Sequence, residues 1–177
     1  MRILFIGFSL LFCLSCSSVV KMQSDDFEVH YDKGKAFLAN GQFDEAEQSL
    51  LLAEEKAKKT KWNDGVIMCK RELALVEIGK KDFLQAEKLL GEGIEICRRE
   101  ATCESEDIAL LHGYLNHLYL YQTKQVEKAI ENVGVLGKDI TDKNGDKAVV
   151  CKSIEGISKA GFSEEATPLA KREGCPT

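Results

Sequence analysis

Histidine and cysteine are the residues through which this chain could do chemistry, and they are unevenly supplied. Only three histidines occur, His30, His112 and His117, so general bases near neutral pH are scarce. His112 and His117 are five apart and point to different faces of a helix, a spacing unsuited to a shared metal. No glycine-rich phosphate loop, nucleophile elbow or Cys-x-x-Cys pair occurs. These absences argue against catalysis, and no metal, other cofactor or small-molecule substrate is expected. Seven cysteines are many for 177 residues and suit an exported chain, where disulfides persist.

The first residues point the same way. Arg2 provides a charged start, Ile3 to Leu14 form an apolar run, and Ser15 and Cys16 follow. The run is shorter than the roughly 20 apolar residues a spanning helix needs. This stretch resembles the lipobox of bacterial lipoproteins, in which a small residue precedes the cysteine that is lipidated and becomes the mature N-terminus. Ser15 and Cys16 match it, while Cys13 stands where the family usually has Leu. The resemblance implies a cleaved signal over 1–15, an acyl chain on Cys16 and a membrane anchor. Residues 16–26 then read as the lipidated Cys and a polar tether, and 27–177 as one folded domain.

Charge narrows the partners. Only Arg2 among residues 1–15 is charged, so the remainder is one unit more acidic than the −5 of the whole chain. Nucleic acid is not an expected partner. From Phe27 onward apolar residues recur at helical spacing and only Pro168 and Pro176 interrupt, so the expected fold is all-α.

Gly41-Gln-Phe43-Asp-Glu-Ala46, with Leu50 and Ala53, recurs as Lys81-Asp-Phe83-Leu-Gln-Ala86 with Leu90 and Gly93. It returns more weakly around Ala129 and Ala166, at spacings of 40, 43 and 37 residues. Each unit is a helix, a tight turn and a second helix. The pattern resembles the tetratricopeptide repeat: Gly34, Ala36 and Phe37 match its first helix, Gly41 and Phe43 its turn, and Ala46, Leu50 and Ala53 its second helix. Ala86 to Tyr119 looks like the longer repeats of kinesin light chains. Lys33, Asn116 and the missing closing prolines depart from the pattern. The resemblance implies a short α-solenoid of about four hairpins.

On these units Cys69 falls near the start of one first helix and Cys97 near the end of its second, and Cys151 and Cys175 repeat the placement. The arrangement is similar to Sel1-like repeat proteins, where a disulfide staples the open end of each hairpin. That implies Cys69–Cys97 and Cys151–Cys175, with Cys103 an exposed leftover thiol. Cys97 paired with nearby Cys103, or Cys69 and Cys151 as buried packing residues, are the alternatives.

In proteins of this repeat the first helices line a concave groove. The matching positions are Glu28, Tyr31, Lys35 and Leu38 in the first unit; Met68, Arg71, Leu75 and Ile78 in the second; and Leu110, His117, Leu120 and Tyr121 in the third. Tyr, Leu, Met and Arg together suit a peptide-binding surface. A register one residue away would instead put Leu75, Ile78 and Leu120 in the core. The expected function is a non-catalytic, lipid-anchored adaptor or assembly scaffold binding another envelope protein or peptide. In many lipoproteins of this kind an acidic residue directly after the cysteine holds the protein in the inner membrane; Ser17 stands there instead, so the resemblance implies the outer membrane, facing the periplasm. The competing expectation is a secreted, disulfide-stapled effector acting on a host partner.

Overall fold

The computed structural model describes residues 14–176, with side chains from residue 26 onward. The expected signal (1–15) and acyl acceptor Cys16 lie outside the residues whose side chains are described. Eight α-helices follow in order: α1 (Leu14–Ala39), α2 (Phe43–Lys59), α3 (Asn63–Lys80), α4 (Phe83–Arg99), α5 (Ser105–His117), α6 (Val126–Asp142), α7 (Ala148–Lys159) and α8 (Ser163–Glu173). The helical backbone of α1 runs through the polar stretch 17–26. A π-helical turn, Leu118–Gln122, extends α5. Among the described residues there is no strand. Each helix packs on its neighbours in sequence, α1 also meets α3, and α5 meets α7. The molecule is a short all-α solenoid of four helical hairpins.

One local device builds most of the turns. Gly41, Lys61, Lys81, Lys124 and Gly161 all have left-handed backbone angles, and in each case a helix begins two residues later. After each of them the next amide bonds back across the turn, as in Gln42 N to Phe37 O at 2.9 Å and Asp82 N to Glu77 O at 2.9 Å. These bonds satisfy carbonyls that a helix end would leave orphaned. Asp82 adds an N-cap, its side chain accepting from Gln85 N at 3.1 Å.

Small residues stand where helices cross. Ala46, Ala53, Ala86 and Ala129 are sealed, and Leu50, Leu90, Val133 and Leu136 fill the adjoining space. At Gly34 a Cβ would lie 2.6 Å from Leu50 Cγ, so only glycine lets α1 and α2 approach this closely. The hairpins are also cross-linked by charge. Lys70 on α3 reaches Glu54 on α2 at 3.1 Å and Glu92 on α4 at 2.6 Å.

The cysteine pairing corrects one expectation. Cys151 joins Cys175 and so staples α7 to the end of α8. Cys97, however, joins Cys103 with Cα atoms 5.2 Å apart, and Cys69 is unpaired and buried. The chain after α4 folds straight back, so a thiol six residues away is delivered to Cys97 by the backbone itself. Cys69 instead faces the charges of Glu54 and Lys58 on α2; burial, then Glu54 and Glu72, push its thiol up to about 12. Cys103 is therefore neither a leftover thiol nor exposed, at 3%.

Candidate binding groove

The residues expected along one groove separate into two sets, because α3 and α5 hardly meet while α1–α3 and α5–α7 each pack. In the first set Glu28 and Lys35 are exposed, and Leu38, Met68, Leu75 and Ile78 are half-buried. Tyr31 is buried, which corrects its placement on a free surface. Its ring stacks on Phe27 and its hydroxyl donates to Glu72 Oε1 at 3.2 Å. Arg71 donates to Tyr31 Oη at 3.1 Å and to Glu72 at 2.8 Å, so its charge is neutralised inside the molecule. Burial, then the Glu72 charge, raise the Tyr31 hydroxyl to about 12. This half offers no uncommitted cation to a partner's acid through Arg71.

The second set makes a cavity. Between α5 and α7 runs a groove of about 490 Å³, into which Leu110, His117, Leu120 and Tyr121 all face. Leu110, His117 and Tyr121 are exposed, and His117 packs against Tyr121 with ring centroids 4.9 Å apart. Leu120 is only 2% exposed and belongs to the floor, a correction to its expected place on the open surface. The π-helical turn causes this, since an extra residue per turn rotates Leu120 inward and Tyr121 outward. The facing wall, Val149, Lys152, Ser153 and Gly156, comes from α7 and was missed by sequence reasoning. Gly113 and Gly156, isolated inside helical patterns, were the available signal.

Beneath the groove lies a buried polar chain that sequence reasoning also missed. Asp139 on α6 accepts from Arg98 Nε at 2.9 Å and Nη2 at 2.8 Å, and from His112 Nε2 at 2.9 Å. The other ring nitrogen, Nδ1, lies 2.6 Å from Asn132 Oδ1. Asn132 Nδ2 donates to the His112 backbone carbonyl at 3.1 Å and to Asn116 Oδ1 at 2.7 Å. The carbonyl can only accept, which fixes every amide along the chain. Asn116 Nδ2 is left as a buried donor with no partner, in a residue that lines the groove.

Comparison with protein-family models, with curated proteins and with solved structures finds no match.

The electrostatics of this chain are structural. Burial pushes the Asp139 carboxyl up, but the hydrogen bonds and charges of Arg98 and His112 bring it below the ordinary carboxylate range. His112 is 1% exposed with both ring nitrogens engaged, so no lone pair is open to a ligand's proton. A second, more charged cleft of about 800 Å³ opens between the end of α4 and α6, with Arg98, Arg99, Lys138 and Lys143 against Glu100, Glu131, Asp139 and Asp142. Its charges balance, and Arg98 and Lys143 are bonded within the protein. Among the described residues no group of His, Cys, Asp and Glu could hold a metal ion.

Proposed function

We propose that this chain is a lipid-anchored, non-catalytic adaptor of a bacterial envelope, whose tetratricopeptide-like hairpins hold a segment of another protein in the α5/α7 groove. The observation that carries the reading is the groove itself: a largely apolar cavity with an exposed aromatic pair. Concave apolar lining with a few placed polar groups is the usual make-up of a recognition site. The two disulfides suit an oxidising compartment, in keeping with a leader that ends in Ser15 and Cys16. Sealed alanines at the helix crossings support the tetratricopeptide assignment. Ser17, rather than an acidic residue, directly after Cys16 favours the outer membrane.

A photoreactive residue in place of Tyr121 should give a discrete adduct with one envelope protein in intact cells. The same residue in place of Leu84, 81% exposed on α4, should not. Equal labelling from both positions, or none, defeats the adaptor reading. Recovery of unacylated protein from the medium would transfer the assignment to a secreted effector.

A further inference from the structure

The side of α6 that faces α4 is open. The two helices are joined by Lys128 Nζ to Glu87 at 3.0 Å and by Arg98 to Asp139 at 2.8 Å, and hardly meet otherwise. Clefts of about 290 and 800 Å³ lie along this gap and meet at Glu131 and Val135. Neither shares a residue with the α5/α7 groove.

The exposed α6 residues that line the gap are Lys128, Glu131, Val135, Lys138 and Asp142. Their spacings alternate between three and four, which keeps them on one face of the helix. Glu131, Lys138 and Asp142 make no ion pair among the described residues, although Lys138 and Asp142 stand one turn apart. Lys128 spends two of its three donors on the Glu87 carboxylate. Val135, 36% exposed, is an apolar side chain left in water at the middle of the row.

We infer that this face of α6 binds the same face of a second copy of the chain, with the two helices antiparallel about a two-fold axis at Val135. The order of the charges carries the inference. Laid antiparallel on itself about Val135, the row sets Lys128 against Asp142 of the second copy and Glu131 against its Lys138, within one residue of exact symmetry. The axis repeats both contacts, so four opposite-charge pairs surround one Val135 to Val135 contact. Laid parallel, the same row would set every charge against its like. An unrelated helix would have to supply this order by chance, whereas a second copy supplies it by its own sequence.

The neighbouring glycine fits the same contact. Gly134 lines the larger cleft beside Val135, and a Cβ there would meet only Arg172 Nη2, at an ordinary 3.8 Å. Packing among the described residues therefore does not require glycine at a helical position where alanine is more favourable. A flat spot beside Val135 lets a second helix approach closely. The symmetry also suits a tethered protein. A two-fold axis that reverses α6 runs along the stack of hairpins, so α1 of both copies lies at the same end of the dimer, as two anchors in one membrane require. Both α5/α7 grooves stay open, and the pair is a bivalent binder.

The test uses the full chain in intact cells. Val135→Cys places a thiol on the axis opposite its own copy, so a mild oxidant should give a covalent dimer on a non-reducing gel. Leu110→Cys, at least as exposed but in the α5/α7 groove, should stay monomeric. In the Val135→Cys background, Lys138→Glu and Glu131→Lys should each lower the linked fraction about fivefold or more, because each sets like charges together on both sides of the axis. The two reversals combined should restore linkage. Both residues are exposed and unpaired within the chain, so the melting temperatures of these variants should agree within about 2 °C. Absence of the Val135→Cys dimer overturns the inference, as do single reversals without effect and a folded double reversal that fails to restore linkage. Equal linkage from Leu110→Cys overturns it too, and a Val135→Cys disulfide to a different protein would replace the second copy by another occupant.

Discussion

Removing the Asp139 carboxylate tests the buried chain beneath the groove most directly. In Asp139→Ala, Arg98 loses its partner on α6, but its side chain is one-third exposed and keeps Glu95, so it can turn to water at a cost of about 0–1 kcal/mol. His112 cannot. Its ring is sealed, and an Nε2 donor without an acceptor costs about 1–3 kcal/mol. A void where the carboxylate stood adds to this, so the total should be about 3 kcal/mol, the low end for breaking a buried pair. Urea unfolding followed by far-ultraviolet circular dichroism should show the midpoint falling by more than 1 M, with m between about 1 and 3 kcal/mol/M. The melting temperature should drop by about 6–12 °C. Arg98→Ala should lose only about 1 kcal/mol. The wild type carries a second signature: because the folded carboxyl lies below its ordinary range, its contribution is present above about pH 4 and is lost as pH falls through the folded value. Asp139→Asn should flatten that acid limb. If Asp139→Ala costs no more than Arg98→Ala, the chain does not hold α5 to α6 and the fixed polarity of Asn116 loses its basis.

Non-reducing peptide mapping should recover Cys97–Cys103 and Cys151–Cys175, with Cys69 alkylated only after unfolding. On loop-closure entropy, losing the link across 24 residues should cost about 3.5 kcal/mol and the link across six about 2 kcal/mol, so Cys151→Ala should melt lower than Cys103→Ala. Gly34→Ala and Ala46→Leu should each destabilise by about 1–3 kcal/mol through overpacking of the α1/α2 contact, whereas exposed Glu45→Ala should change the urea midpoint little. Cys16→Ser should release the protein from membranes, and retention after a carbonate wash would rule out the acyl anchor.

The hairpins were legible in the sequence because local physics specifies them. Apolar residues at helical spacing, Gly41 and Phe43 at a turn, and alanines at Ala46, Ala53 and Ala86 need no distant partner to be read. The Cys151–Cys175 link was readable too, since it joins the two ends of one hairpin. Cys97 was not, because its two candidate partners differ only in how the chain after α4 turns, and short-range backbone direction there outweighs hairpin symmetry. The groove was half legible. Leu110, His117 and Tyr121 follow from helical periodicity, but Leu120 changes face through a π-helical turn that no spacing rule announces. Its second wall lies some forty residues further along the chain, on α7. The polar chain from Arg98 through Asp139, His112 and Asn132 to Asn116 was hidden for the same reason: its members lie on three helices, and no spacing in the sequence pairs them. Only the packing of α4, α5 and α6 removes the water and makes each the other's hydrogen-bond partner.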